Sequence, residues 1–384
     1  MVSTANNLET LNIFHLSPFP YYSGGIDTWL LNFLISFDGK YRIKIYCTSP
    51  NEDMIPIHDI QHFSTVEIIY IGRFSGHLSR IIWTFKAFKF LYNQFITCSK
   101  IIVLSTPPML PIIFLKMFNR INGEIILSVR GQLSQDAIDM KKSIIFQKIV
   151  KFIEGRCISS ADKIIANGWD TQDFIKHFFG KDSEVIPNGF LAKSNTEPIP
   201  NDGIEIVKEL KKQGKIIISH VGTVRKMKCI DYILEAMKLL SNVEKEKSAF
   251  VFIGKGNLDY YSEIAQKLNV SAYFLGEKSN VIPYYKKSDF IINVSGGSGV
   301  SNSLIEALSI GRPVITWNNK TFTQIIKDGE NGICCEHRNA SSLAKGLKTA
   351  INREIDFNSD EIKLSVKDFQ WSRVIPKWQQ LLPK

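Results

Sequence analysis

The sequence predicts an α/β protein of two doubly wound halves, each a parallel sheet covered by helices on both faces. Three observations carry that expectation. Short apolar runs alternate with helix-like segments, the alternation restarts after one polar stretch, and 384 residues exceed one ordinary core. Helices between consecutive strands are what a parallel sheet needs, since each crossover must run back the length of the sheet.

In the first half, "LNIFHL", "RIKIYC", "VEIIYIG", "KIIVLS", "GEIILSV" and "KIIAN" read as strands, being short, apolar and rich in β-branched residues. "GIDTWLLNFLISF" and "KKSIIFQKIVKFIEGRCISSA" have apolar spacing that suits helices. The polar run "LAKSNTEPIPNDG", with its two prolines, is the expected linker. Beyond it, "KIIISHVG", "SAFVFIGKG", "SAYFLGE", "DFIINVSGG" and "RPVITW" are read as strands, and "CIDYILEAMKLLS", "YYSEIAQKLN" and "NSLIEALSIG" as helices. Ligands of such sheets favour the carboxyl ends of the strands, so a cleft between the halves is the expected site.

The most apolar window, Ile101 to Phe118, is interrupted by Pro107, Pro108 and Pro111, which predicts a strand, a turn and a short helix, not a membrane span. The start, "MVSTANNLETLNIFHL", lacks the basic residues and apolar run of a signal peptide. Six scattered cysteines, with no C-x-x-C pair, fit reduced thiols better than disulfides or a zinc site. The net charge of +10 favours an acidic partner. "RFSGHLSRIIWTFKAFKFLYNQF" mixes Arg73, Arg80, Lys86 and Lys89 with bulky apolar residues. It reads equally well as a core helix with a basic edge or as a helix lying on an anionic bilayer. The basic residues form no nucleic-acid-binding motif, so nucleic acid is not an expected partner.

Four stretches can carry chemistry. In "HLSPFPYYSGGIDTWLLNFL", Ser23, Gly24 and Gly25 join a strand to a helix, where close backbone approach and free helix-terminal N–H groups suit an anion. An ordinary turn would look the same. In "ISHVGTVRKMKCIDYILEA", the strand ends at Gly222, and Arg225, Lys226 and Lys228 follow as cations able to neutralise a departing diphosphate, or simply as a solvated loop. "FVFIGKGN" has Gly254 and Gly256 but no third glycine and no matching acid, which argues against a nicotinamide or flavin site. In "VSGGSGVSNSLIEALSIGRPVI", Gly296, Gly297 and Gly299 form a turn into a helix capped by Ser301 or Asn302. Glu306 lies about one turn inside that helix, where it could bond a ribose diol or merely face solvent.

The order and spacing of these pieces resemble glycosyltransferase family 4, of the GT-B fold. The matching stretches are "SGGIDTWLLNFL", "VIPNGF", "VGTVRKMKCIDYILEAM", "FVFIGKGN", "YFLGE", "YYKKSDFIINVS" and "GVSNSLIEALSIGRPVIT" through "FTQIIKDGENGICC". The resemblance implies two Rossmann-like domains facing a cleft: 1–190 binding the acceptor, a linker at 191–203, 204–368 binding a nucleotide-sugar, and 369–384 as a helix crossing back to the first domain. It implies that Gly24 and Gly25 meet the diphosphate and that Lys228 stabilises the departing phosphate charge. By the same resemblance Gly222, Ser298, Gly299, Val300, Ser301 and Asn302 line the donor, Glu306 holds the ribose, and Lys278 and Ile282 flank the base.

Three positions depart from the family pattern. Ser298 stands in place of the first of two glutamates, Thr223 in place of an arginine that Arg225 could replace, and Arg130-Gly131 where many members carry a histidine. Arg130 could contact donor phosphate or an anionic acceptor. The resemblance implies transfer of a hexose-type sugar from a UDP- or GDP-sugar with retention of configuration and no metal. The expected acceptor is a glycan on a polyprenyl diphosphate, in capsule, O-antigen or exopolysaccharide synthesis. The expected place is the cytoplasm, peripheral on the inner face of the plasma membrane. The alternatives are a non-catalytic GT-B protein that binds a glycan or steadies a partner, and a GT-B sugar-nucleotide epimerase.

Overall fold

The computed structural model describes residues 8–21, 24–52, 54, 56, 60–73, 79–94, 96–191, 203–278, 280–296 and 299–383. The chain divides into two compact units, Met1–Asn188 with Trp371–Lys384, and Gly189–Gln370. Most of the polar linker, 192–202, lies outside the described residues, as do Ser23 and Ser298.

The first unit holds strands β1 (Thr10–Phe14), β2 (Arg42–Ser49), β3 (Val66–Arg73), β4 (Ile96–Leu104), β5 (Ile121–Val129), β6 (Lys163–Ala166) and β7 (Glu184–Val185). They form one parallel sheet in the order β3-β2-β1-β4-β5-β6-β7. The second unit holds β8 (Ile216–Val221), β9 (Ser248–Ile253), β10 (Ala272–Gly276), β11 (Phe290–Asn293), β12 (Val314–Trp317) and β13 (Gly332–Cys335). Its sheet, also parallel, runs β10-β9-β8-β11-β12-β13. The fold class is therefore the expected one, two parallel-sheet Rossmann-like domains.

Burial explains why these segments pair as they do. Every residue of β8 and of β9 is buried, as strands covered on both faces require. In the first unit one core lies against Phe14, Val103, Leu127 and Trp83, and the other against Ile13, Ile45, Trp29 and Phe33. The second core is closed by the chain's last helix, Trp371–Gln379. Trp378 is fully buried with its ring 4.9 Å from that of Trp29. The Trp371 indole N–H donates to Asn32 O and Ser36 Oγ of the helix Gly25–Phe37.

The proline-interrupted window is a strand followed by the helix Met109–Met117. Among the described residues no helix is long and apolar enough to cross a membrane.

Candidate functional site

Both sheets reverse their strand order at one place, between β1 and β4 in the first unit and between β8 and β11 in the second. At such a reversal neighbouring loops leave the sheet in opposite directions and open a crevice at the carboxyl ends of the strands. Three of the four loops singled out from the sequence follow β1, β8 and β11, and the fourth follows β9, the neighbour of β8.

In the second unit, Gly222 follows β8 with φ +145°, and Lys226–Lys228 make a 3₁₀ turn. Two hydrogen bonds from Gly222 N and Val224 N to Ile253 O and Lys255 O brace this loop against the one after β9. Glycine is needed on the β9 side. A Cβ on Gly254 would sit 2.0 Å from Gly222 O, and one on Gly256 would sit 2.1 Å from Val224 O. The "GKG" motif is thus a backbone-packing device that holds the cationic loop in place.

The loop after β11 is tied to the same turn. Gly296 N donates to Met227 O at 3.0 Å, and the Lys228 ammonium lies 3.3 Å from Ser295 Oγ. Burial, reinforced by nearby Arg225, pulls the Lys228 pKa down to about 8. His220, buried at the end of β8, is pushed down to about 4 by burial and by Lys228, so it stays neutral at pH 7. Arg225 is exposed, and the Thr223 hydroxyl is a buried group without a hydrogen-bond partner.

Gly299 has φ +83°, Val300 is buried, and Ser301 is the N-cap of the helix Asn302–Ser309. The Ser301 side chain does not cap that helix. Its hydroxyl accepts from Asn293 Nδ2 at 2.8 Å, as does that of Ser303, so buried Asn293 at the end of β11 holds the helix start. Glu306 accepts a 3.0 Å hydrogen bond from the Tyr285 hydroxyl. Tyr285 is fully buried, and burial together with Glu306 keeps its pKa well above the usual phenol range. It belongs to the helix Ile282–Lys287, so the segment expected to flank the base also orients the carboxylate expected to hold the ribose. Ile282 N donates to Asn280 Oδ1, and Lys278 stands half-buried just past β10.

In the first unit, Gly24 is the extended N-cap of the helix Gly25–Phe37, with no side-chain cap. Three residues on, Asp27 pairs at 3.0 Å with His15, the residue after β1, and both side chains are almost completely buried. This pair pins the helix start to the strand end. Arg130, just past β5, stacks on Trp29 of the same helix at 4.1 Å. Its Nε donates to Ser128 Oγ and its Nη1 to Asn188 Oδ1, while Nη2 is buried without a partner. Burial pulls its pKa down to about 9, which leaves it cationic at pH 7. A Cβ on Gly131 would meet nothing within 4 Å.

The structure thus brings Gly222, Lys228, Gly299, Ser301 and Glu306 to one end of the second sheet, and Gly24, Gly25 and Arg130 to one end of the first. Sequence reasoning missed Tyr285, Asn293 and the His15–Asp27 pair. Only the tyrosine run beside Ile282 offered a signal.

Residues 202–363, all within the second unit, match the family model described as Glycosyl transferases group 1. An uncharacterized glycosyltransferase of Haemophilus influenzae is 28% identical over 189 residues, covering 48% of this chain and 53% of the relative. A Campylobacter jejuni relative, named N-acetylgalactosamine-N,N'-diacetylbacillosaminyl-diphospho-undecaprenol 4-alpha-N-acetylgalactosaminyltransferase, is 24% identical over 243 residues, 62% of this chain and 64% of its own. The chain spans a little over half the length of the Haemophilus relative. Among solved structures, sucrose-phosphate synthase from Thermosynechococcus elongatus aligns with a TM-score of 0.77 at 14% identity, over 97% of this chain and 98% of that one. Anabaena HepE in complex with UDP-glucose aligns with a TM-score of 0.72 at 15% identity, over 97% of this chain and 100% of that one. These likenesses show the GT-B fold.

Proposed function

We propose that this chain, with its group 1 glycosyltransferase domain at 202–363, moves a hexose-type sugar from a nucleoside-diphosphate donor to a lipid-linked glycan, retaining the anomeric configuration. One observation carries the reading. Lys228 contacts the loop after β11 at the strand-order reversal of that domain, and that loop leads into the helix Asn302–Ser309 that carries Glu306, which suits a sugar nucleotide's need for a cation, N–H dipoles and a ribose acceptor. In the transfer, the bond from the anomeric carbon to the diphosphate oxygen breaks while the acceptor oxygen bonds to the same face. The acceptor proton passes to the departing phosphate. Lys228 and the helix N–H groups stabilise the charge that develops there, so the step needs no metal.

HepE, crystallised with UDP-glucose, supports a UDP-sugar as donor, with a GDP-sugar as the alternative. The diphospho-undecaprenol in the Campylobacter relative's name supports a polyprenyl-diphosphate acceptor and a role in surface-polysaccharide synthesis. Arg130, with Nη2 unpartnered, is the group assigned to an acceptor or donor phosphate. The protein works at the inner membrane face, where Lys86 and Lys89 lie beside exposed Phe85 and Phe90. A thermal-shift screen of UDP- and GDP-sugars, followed by nucleoside-diphosphate release and NMR of the product anomer, tests the proposal. No shift and no release across the panel would favour a non-catalytic protein; an inverted anomer would refute retention.

A further inference from the structure

The helix Ile144–Ser159 buries Glu154, Cys157 and Ile158 and turns a different kind of face outward. At about 100° per residue, Ile145, Ile149 and Phe152 fall together on the side opposite that buried stripe. Ile145 is 73% exposed and Phe152 70%, unusual for residues of their type. Ile144, Phe146 and Ile153 widen the apolar strip, and Lys148 and Lys151 edge it. Across 141–159 there are five cations (Lys141, Lys142, Lys148, Lys151, Arg156) and one acid, Glu154, which is buried.

This face is not isolated. The helices Ser79–Tyr92, Met109–Met117 and Ile144–Ser159 cover one face of the first sheet, where Trp83, Ile112 and Ile158 share a core. Their outer sides extend the same surface through exposed Phe85, Phe114 and Met117. Phe88 joins the first two helices, its ring 5.9 Å from that of Phe114. An apolar surface edged with lysine, whose helix Ile144–Ser159 exposes no acid, complements an anionic bilayer, which offers hydrocarbon beneath phosphates.

We infer that the outer face of Ile144–Ser159 is the centre of a docking surface for an anionic lipid bilayer, with Ile145, Ile149 and Phe152 entering the acyl boundary and the lysines meeting headgroup phosphates. The helix is also wired to the candidate site. The Glu154 carboxylate accepts from Leu133 N, Ser134 N and Ser134 Oγ, at 2.9, 2.9 and 2.6 Å, and so clamps the segment that follows Arg130-Gly131. The docking helix is therefore tied through its buried side to the loop that carries Arg130. Any use of that tie in sugar transfer rests on the proposed lipid-linked acceptor; the docking itself does not.

The test is co-sedimentation of the full chain with phosphatidylcholine vesicles, with and without phosphatidylglycerol. Binding is expected only with the anionic lipid and should weaken with salt. Ile145→Ser with Phe152→Ser should lower partitioning about a hundredfold, ~1.4 kcal/mol for each side chain withdrawn from the acyl boundary. Because both side chains are already in water, melting temperature and the nucleotide-sugar thermal shift should stay unchanged. Lys142→Glu with Lys148→Glu should abolish the preference for phosphatidylglycerol. Vesicle binding unaltered by the double serine variant overturns the inference, as does absence of binding alongside a self-association, seen by sedimentation, that the same variant dissolves. Either result leaves the sugar-transfer reading standing if nucleotide-sugar shifts persist; loss of those shifts with intact vesicle binding has the opposite meaning.

Discussion

Replacing Lys228 with methionine should make the protein more stable and less active at once. The ammonium is held where burial and Arg225 lower its pKa from 10.5 to about 8. At about 1.4 kcal/mol per pKa unit, keeping it charged costs the folded state roughly 3 kcal/mol at pH 7. Methionine keeps most of the stem and loses the 3.3 Å contact with Ser295, so a net gain of about 1–2 kcal/mol is expected. In a unit of this size that raises the melting temperature by roughly 2–8 °C. The sign with pH is fixed. The penalty is full below pH 8 and fades between pH 8 and 10.5, where the folded state has released a proton that the unfolded chain keeps. The gap between Lys228→Met and the parent should therefore close across that window. Turnover should move the other way. If Lys228 acts on the leaving phosphate as proposed, its removal costs about 100–1,000-fold in nucleoside-diphosphate release. Denaturation melts from pH 7 to 10 and a donor-release assay read both effects. A variant that is less stable at pH 7, or that keeps kcat/KM within threefold of the parent, would refute the reasoning.

Two further substitutions probe the same corner. Glu306→Gln still accepts from Tyr285 but offers the ribose a neutral oxygen, so donor KM should rise roughly tenfold with kcat changed less than threefold. An unchanged KM would show that Glu306 is structural. Gly256→Ala places a Cβ 2.1 Å from Val224 O at φ +147° and should cost about 3–5 kcal/mol in a denaturant titration, whereas Gly131→Ala meets nothing and should be neutral within error. Equal effects at the two glycines would contradict the close approach of the β8 and β9 loops.

The strand–helix alternation made the architecture legible, because β8, β9 and β11 are short, mainly apolar segments bounded by glycine or polar turns. Two strands escaped that reading. β7 is only two residues long, and β13, "GICC", has too little β-branched content to stand out. The candidate site was legible as loops but not as a network. "FIGKGN" could be excluded as a dinucleotide fingerprint, yet its glycines serve a contact with Gly222 and Val224, over thirty residues away, that no local pattern encodes. Tyr285 and Glu306 are joined by one hydrogen bond across 21 positions, and nothing in either neighbourhood names the partner. The helix Ile144–Ser159 read as an ordinary amphipathic segment. Its sequence does hold the clue, since apolar residues occupy more of its circumference than one buried face can use.

The last helix gives the chain an unusual order of assembly. Trp371 and Trp378 complete the core against Trp29 and Phe33, so the unit that begins first on the ribosome is finished only after the whole of residues 189–370 has been made. Until then the helix Gly25–Phe37 lacks the cover that buries Trp29, while the intervening unit has every strand it needs and can fold ahead of it. A nascent chain stalled anywhere within 189–370 would therefore present a sticky aromatic surface belonging to residues translated long before. Damage or shortening near Trp378 would act at a distance in the sequence, unravelling the Arg130 side of the molecule while leaving the Lys228 side intact.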